Sequence, residues 1–74
     1  MSNKQKSAVT QGAVLLKQYR KKEEITQEDL AEKLGCGKFM LNRYEKGVHV
    51  PQGRRLILFR DVCNIPVESW LLEL

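Results

Sequence analysis

The chain predicts an all-α fold of five short helices, and three observations carry that prediction. Apolar residues recur every three or four positions in successive segments, no segment alternates in the manner of a half-buried strand, and glycine or proline punctuates most of the junctions. The sequence contains no internal repeat.

The first helix is expected from about Thr10 to Lys22, with Ala13, Leu15, Leu16 and Tyr19 inward and Lys17, Gln18, Arg20 and Lys21 mainly on the other side. Thr26, followed three residues later by Asp29, is close to a capping box, and Glu28 and Asp29 suit a helix N-terminus. The second helix therefore starts near Gln27 and stops at Gly35. A third starts at about Lys38, behind Gly37 as a permissive N-cap, and ends at Gly47, a glycine C-cap. Val48 to Gly53, which includes Pro51, reads as a loop. Arg54 to Cys63 gives a fourth helix through Leu56, Phe59, Val62 and Cys63, and Pro66 at N1 opens a short fifth that carries Trp70 and Leu71.

The second and third helices have the makings of a helix-turn-helix. Ala31 is small enough for two helices to cross closely, and Gly35, four residues on, supplies the positive-φ turn between them. Leu30, Leu34, Cys36, Leu41 and Tyr44 form the inward stripe that packs both on another helix. At about 100° per residue, placing Leu41 inward keeps Tyr44 on the inner side and gathers Phe39, Asn42, Arg43 and Lys46 on the opposite face. Arg43 has the fork for guanine O6 and N7, Asn42 suits adenine, Lys46 suits a phosphate, and Lys38 flanks the helix start within reach of a base edge. Met40 borders the core and reads as packing.

Composition agrees with a polyanionic partner: 13 Lys plus Arg stand against 9 Asp plus Glu, a net charge of +4. Cys36 and Cys63 are far apart in apolar contexts, outside any CxxC pair, and read as reduced core residues of a cytosolic protein. The single histidine, His49, falls in a loop. No metal site, nucleophile and base pair or phosphate-cradling glycine loop can be assembled, so neither an enzyme nor a cofactor is expected. Residues 1–9, MSNKQKSAV, hold no long apolar stretch and read as a flexible, mildly basic arm, either solvated or touching DNA; residues 10–74 form the folded domain. No membrane association is expected.

From about Leu16 to Leu71 the chain resembles the Cro/repressor-type helix-turn-helix domains of phage and bacterial regulators, the xenobiotic response element family. The matching positions are Arg20, ITQEDLAEKLG at 25–35, NRYEKG at 42–47, Pro51 and NIPVESWL at 64–71. The likeness implies a lambda-repressor-like domain of five helices that docks the third in the major groove of double-stranded DNA. It also implies that Gln27 and its backbone N–H meet a phosphate, and that Arg20 and Glu45 form a partly buried ion pair. Two departures stand out: Phe39 and Met40 open the third helix where Ser or Thr is usual, and Arg60 replaces a frequent small alanine. GCGKFMLNRYEKG followed by LFRDVCNIP is also similar to the DNA-binding half of certain zinc-containing antitoxins, whose zinc-binding portion has no counterpart here.

One short helix reads few base pairs, so specificity calls for two half-sites and a two-fold homodimer. The C-terminal VESWLLEL carries more apolar surface than its own core needs, which makes Leu72 and Leu74 the dimer candidates. The function expected is a sequence-specific transcriptional regulator in the bacterial cytoplasm, or in the host cytoplasm if phage-encoded. The alternatives are an antirepressor that uses the Phe39 face to grip a second regulator, or an antitoxin that binds a toxin.

Overall fold

The computed structural model describes residues 9–73, so most of the basic arm and Leu74 lie outside the described residues. Four α-helices follow in order, α1 (Gln11–Glu23), α2 (Gln27–Leu34), α3 (Lys38–Lys46) and α4 (Arg54–Cys63), and a 3-10 helix occupies Val67–Leu71. Local chemistry sets most of these limits. Thr10 Oγ1 accepts from the Ala13 N–H at 3.2 Å and Thr26 Oγ1 from the Asp29 N–H at 3.0 Å, each satisfying a donor that the first turn leaves open. Gly35 (φ 70°) and Gly47 (φ 80°) end α2 and α3 in the left-handed region, where a side chain would add strain. The turn between α2 and α3 is drawn tight by the Cys36 N–H, which donates to the Ala31 carbonyl at 3.0 Å.

The fifth helix expected from the sequence is not an α-helix. Pro66 stands at the N-cap in extended conformation (φ −60°, ψ 140°) rather than at N1. The Ser69 hydroxyl donates to the Pro66 carbonyl at 2.6 Å, and the Ser69 N–H reaches the same oxygen at 3.0 Å. Both bonds close on the residue three positions back, which favours the tighter 3-10 winding over a five-residue span. The winding buries Ser69 and Trp70 together and leaves Leu71 outside.

The core is one cluster. Ala13 and Leu16 of α1, Leu30, Ala31 and Leu34 of α2, Leu41 and Tyr44 of α3, and Phe59 and Cys63 of α4 close around Ile65 and Trp70. Tyr44, Phe59 and Trp70 pack ring against ring, with centroids 5.3 Å apart for Tyr44–Phe59 and 5.1 Å for Phe59–Trp70. Cys36 is only half-buried at the edge of this cluster, while Cys63 is inside it, where burial pushes its thiol up to about 11. Both cysteines are free thiols. Met40 packs against the cluster, as its place on the helix implies, whereas Arg60 is exposed and pairs with Asp61 at 3.1 Å, so the departure at this position costs no core space. The two ends of the described chain meet: the Gln11 N–H donates to the Leu72 carbonyl at 2.7 Å, and Thr10 and Glu73 form an isolated antiparallel bridge.

Candidate nucleic-acid interface

Helix α3 is held on its inner side and open on its outer side. Leu41 and Tyr44 are buried, whereas Lys38, Phe39, Arg43 and Lys46 are exposed, Phe39 to 76 %. A phenyl ring so displayed is unusual for a side chain that prefers the interior, and cationic groups flank it on the same face. The four side chains project from a nine-residue helix capped at its far end by Gly47, so their relative positions are fixed by the backbone.

Glu45 anchors this helix to the rest of the molecule. Its carboxylate, 7 % exposed as a residue, takes Arg20 Nε on Oε2 at 2.6 Å and Arg20 Nη2 on Oε1 at 3.2 Å. This fork-on-carboxylate pairing joins α1 to α3, as the resemblance implied, and the hydrogen bond to Glu45 pushes the Arg20 guanidinium above its ordinary value despite burial. Gln27 at the start of α2 donates through Nε2 to Glu45 Oε1 at 3.1 Å and to Asn42 Oδ1 at 3.4 Å. Three helices are thus tied at one buried carboxylate.

That network changes the reading of two residues. Asn42, placed by periodicity on the outer face, is half-buried at its edge, and its Oδ1 is already engaged by Gln27. Adenine recognition by both ends of the amide therefore requires Gln27 to release it. The Gln27 amide nitrogen in turn faces inward. What remains available at the α2 N-terminus is its backbone, in a shallow groove walled by Arg20, Thr26, Gln27, Glu28 and Lys38.

A second groove, on the other flank of α3, was not anticipated. It runs between α3 and α4 and is lined by Tyr44, His49, Gln52, Arg54 and Arg55 among others. Arg55 Nη2 donates to the Gly35 carbonyl at 3.1 Å, and its Nη1 lies 3.5 Å from the Tyr44 hydroxyl, so it braces the turn of the helix-turn-helix. Arg54 beside it is exposed at the first position of α4. The available signal was the basic pair directly after Gly53, at a helix start that no acid occupies. Among the described residues, no group of three or more His, Cys, Asp or Glu could hold a metal ion, and no helix is long and apolar enough to cross a membrane.

The two linked helices, a glycine turn, a buried ion pair behind and a basic outer face define a helix-turn-helix DNA-binding domain. The sequence pattern of the helix-turn-helix family HTH_3 matches residues 16–70, and the chain belongs to that family of Cro/repressor type. Among solved structures it is similar to the master regulator for biofilm formation SinR, crystallised in complex with DNA, at 30% sequence identity and a TM-score of 0.65 over 81% of this chain and 97% of that one. No curated protein sequence matches it significantly.

Proposed function

We propose that this protein is a sequence-specific, double-stranded DNA-binding transcriptional regulator that lays α3 in the major groove. The observation that carries the reading is the outer face of α3, where Phe39, Arg43 and Lys46 are exposed on a helix locked from behind by Glu45. Arg43 makes the principal base contact, Phe39 lies against a thymine methyl, and Lys38 and Lys46 meet base edge and phosphate. The N-terminus of α2 at Gln27 and that of α4 at Arg54 grip the phosphates on either flank. The family match and the likeness to a regulator solved on DNA support this reading over that of an antirepressor or an antitoxin. Acting on an operator, such a protein works in the cytoplasm.

Arg43→Ala is expected to lose about 1–3 kcal/mol of discrimination between its selected duplex and a scrambled one, the worth of a bidentate base contact. Its helical circular dichroism should stay unchanged, because Arg43 is outside the core. The experiment is a selection of duplexes from random DNA by the wild type, followed by titration of both proteins. Replacing the contacted thymine with uracil should weaken the wild type and leave Phe39→Ala nearly indifferent. Equal discrimination by wild type and Arg43→Ala would contradict the assignment.

The active unit is a homodimer on two half-sites one helical turn apart. Leu71 and Leu72 are 76 % and 48 % exposed at the C-terminal end, and they supply the apolar seam. Leu72→Lys is the fitting test, since its backbone carbonyl holds the Gln11 N–H and deleting the segment would also loosen α1. The variant should bind a single half-site normally and lose cooperative occupation of a two-fold site in gel-shift titrations; unchanged cooperativity would exclude the seam.

A further inference from the structure

We propose that Lys17 and Lys21 of α1, with Lys46 of α3, hold DNA phosphates in a further groove that extends the footprint beyond the recognition helix. The inference rests on the DNA-binding reading above and deepens it.

The groove lies where α1 passes the C-terminal end of α3. Its cations are Lys17, Lys21 and Lys46, and Val14 and Val48 contribute apolar surface between them. Lys17 and Lys21 are four residues apart on one helix, so they share a face about 6 Å apart along the axis. Like charges at that spacing cost an isolated helix a few tenths of a kcal/mol, and among the described residues no acid offsets them: the two ion pairs are Arg20–Glu45 and Arg60–Asp61. The one carboxylate on the groove wall is Glu45, and its oxygens already accept from Arg20 and Gln27. The groove therefore presents three positive charges with their only neighbouring acid spent.

Two features select the DNA backbone as the occupant over an acidic protein. Lys46 belongs to the outer face of α3 and to this groove at once, so a strand held by that face continues into it. The groove offers aliphatic side chains and flexible ammonium groups, and it has neither the aromatic residues nor the arginines that concentrate binding energy in protein interfaces. Lysine ammonium groups act as point charges and hold a phosphate without reading sequence. The groove sets affinity and salt dependence while α3 sets sequence.

The test compares the full chain with a Lys17→Gln, Lys21→Gln double variant on a fluorescent duplex selected by the wild type from random DNA. Both lysines are exposed, so the fold should tolerate the change. Releasing two phosphates should make the slope of log K against log salt shallower by about 1.8, so that the wild-type advantage shrinks roughly tenfold between 50 and 200 mM salt. Sequence preference should be retained, and ethylation interference should lose phosphates that remain protected when Arg43 is replaced instead. An unchanged slope and interference pattern would overturn the inference, leave the main reading standing and return the groove to an acidic protein partner. Failure of the wild type to enrich any duplex would overturn both.

Discussion

Replacing Arg20 with leucine is expected to cost about 3–5 kcal/mol of folding stability, the largest effect of any single change outside the hydrophobic core. The reason is an asymmetry in the pair. The Glu45 side chain is 3 % exposed and that of Arg20 is 20 % exposed, so removing the cation strands a carboxylate that water cannot reach, with the Gln27 amide as its remaining side-chain donor. Removing the anion leaves a guanidinium that can turn toward solvent. Glu45→Leu should therefore be the milder change, although it also frees Gln27 and loosens the register of α3 against α1. Urea denaturation of the two variants measures the difference directly. A loss below about 1 kcal/mol for Arg20→Leu would match an exposed pair and contradict the buried anchor.

Gly12→Ala is the second large effect, and its sign is the informative part. Exchanging glycine for alanine within a helix normally stabilises by roughly 0.5–1 kcal/mol. Here a Cβ would come within 2.8 Å of three carbons of the Trp70 ring system, and that ring is 1 % exposed against Phe59 and Tyr44. The ring has no free direction to give, and overpacking of this kind costs about 1–3 kcal/mol, so the net result should be a loss of about 1–2 kcal/mol. The indole Nε1 has no hydrogen-bond partner among the described residues, which means that shape rather than polarity fixes the ring. Trp70 is the only tryptophan, so its emission reports the displacement. Trp70→Phe should cost less in the Gly12→Ala background than alone, a coupling expected for residues in contact. A more stable Gly12→Ala protein with unaltered emission would refute the packing described.

These residues mark where the sequence was sufficient and where it was not. The limits of α2 and the end of α3 were legible because Thr26, Gly35 and Gly47 act locally, through a cap or a permitted backbone angle. The stripe of Leu30, Leu34, Leu41 and Tyr44 was legible because helical period fixes direction. The contact of Gly12 with Trp70 lay beyond it, since it joins residues near opposite ends of the chain. The winding after Pro66 depended on one serine hydroxyl competing for a carbonyl, a choice that apolar spacing does not record. Asn42 was placed on the correct helix and slightly wrong face because its exposure is set by Gln27, a partner in another helix. Arg54 and Arg55 looked like the ordinary start of a helix until the fold set them beside α3. Long polar side chains choose partners in three dimensions, so their roles emerge last.

Contact between the outer face of α3 and DNA is the central expectation for this protein. Amide chemical-shift mapping of the 15N-labelled protein, titrated with a duplex selected from random DNA, tests it most directly. On a duplex that carries a single half-site the largest shifts should fall on Lys38 to Lys46, on the start of α2 at Gln27 and on the start of α4 at Arg54, while the buried Ser69 and Trp70 of the 3-10 helix stay still. Shifts centred on the 3-10 helix with α3 unmoved, or none at low salt, would contradict it.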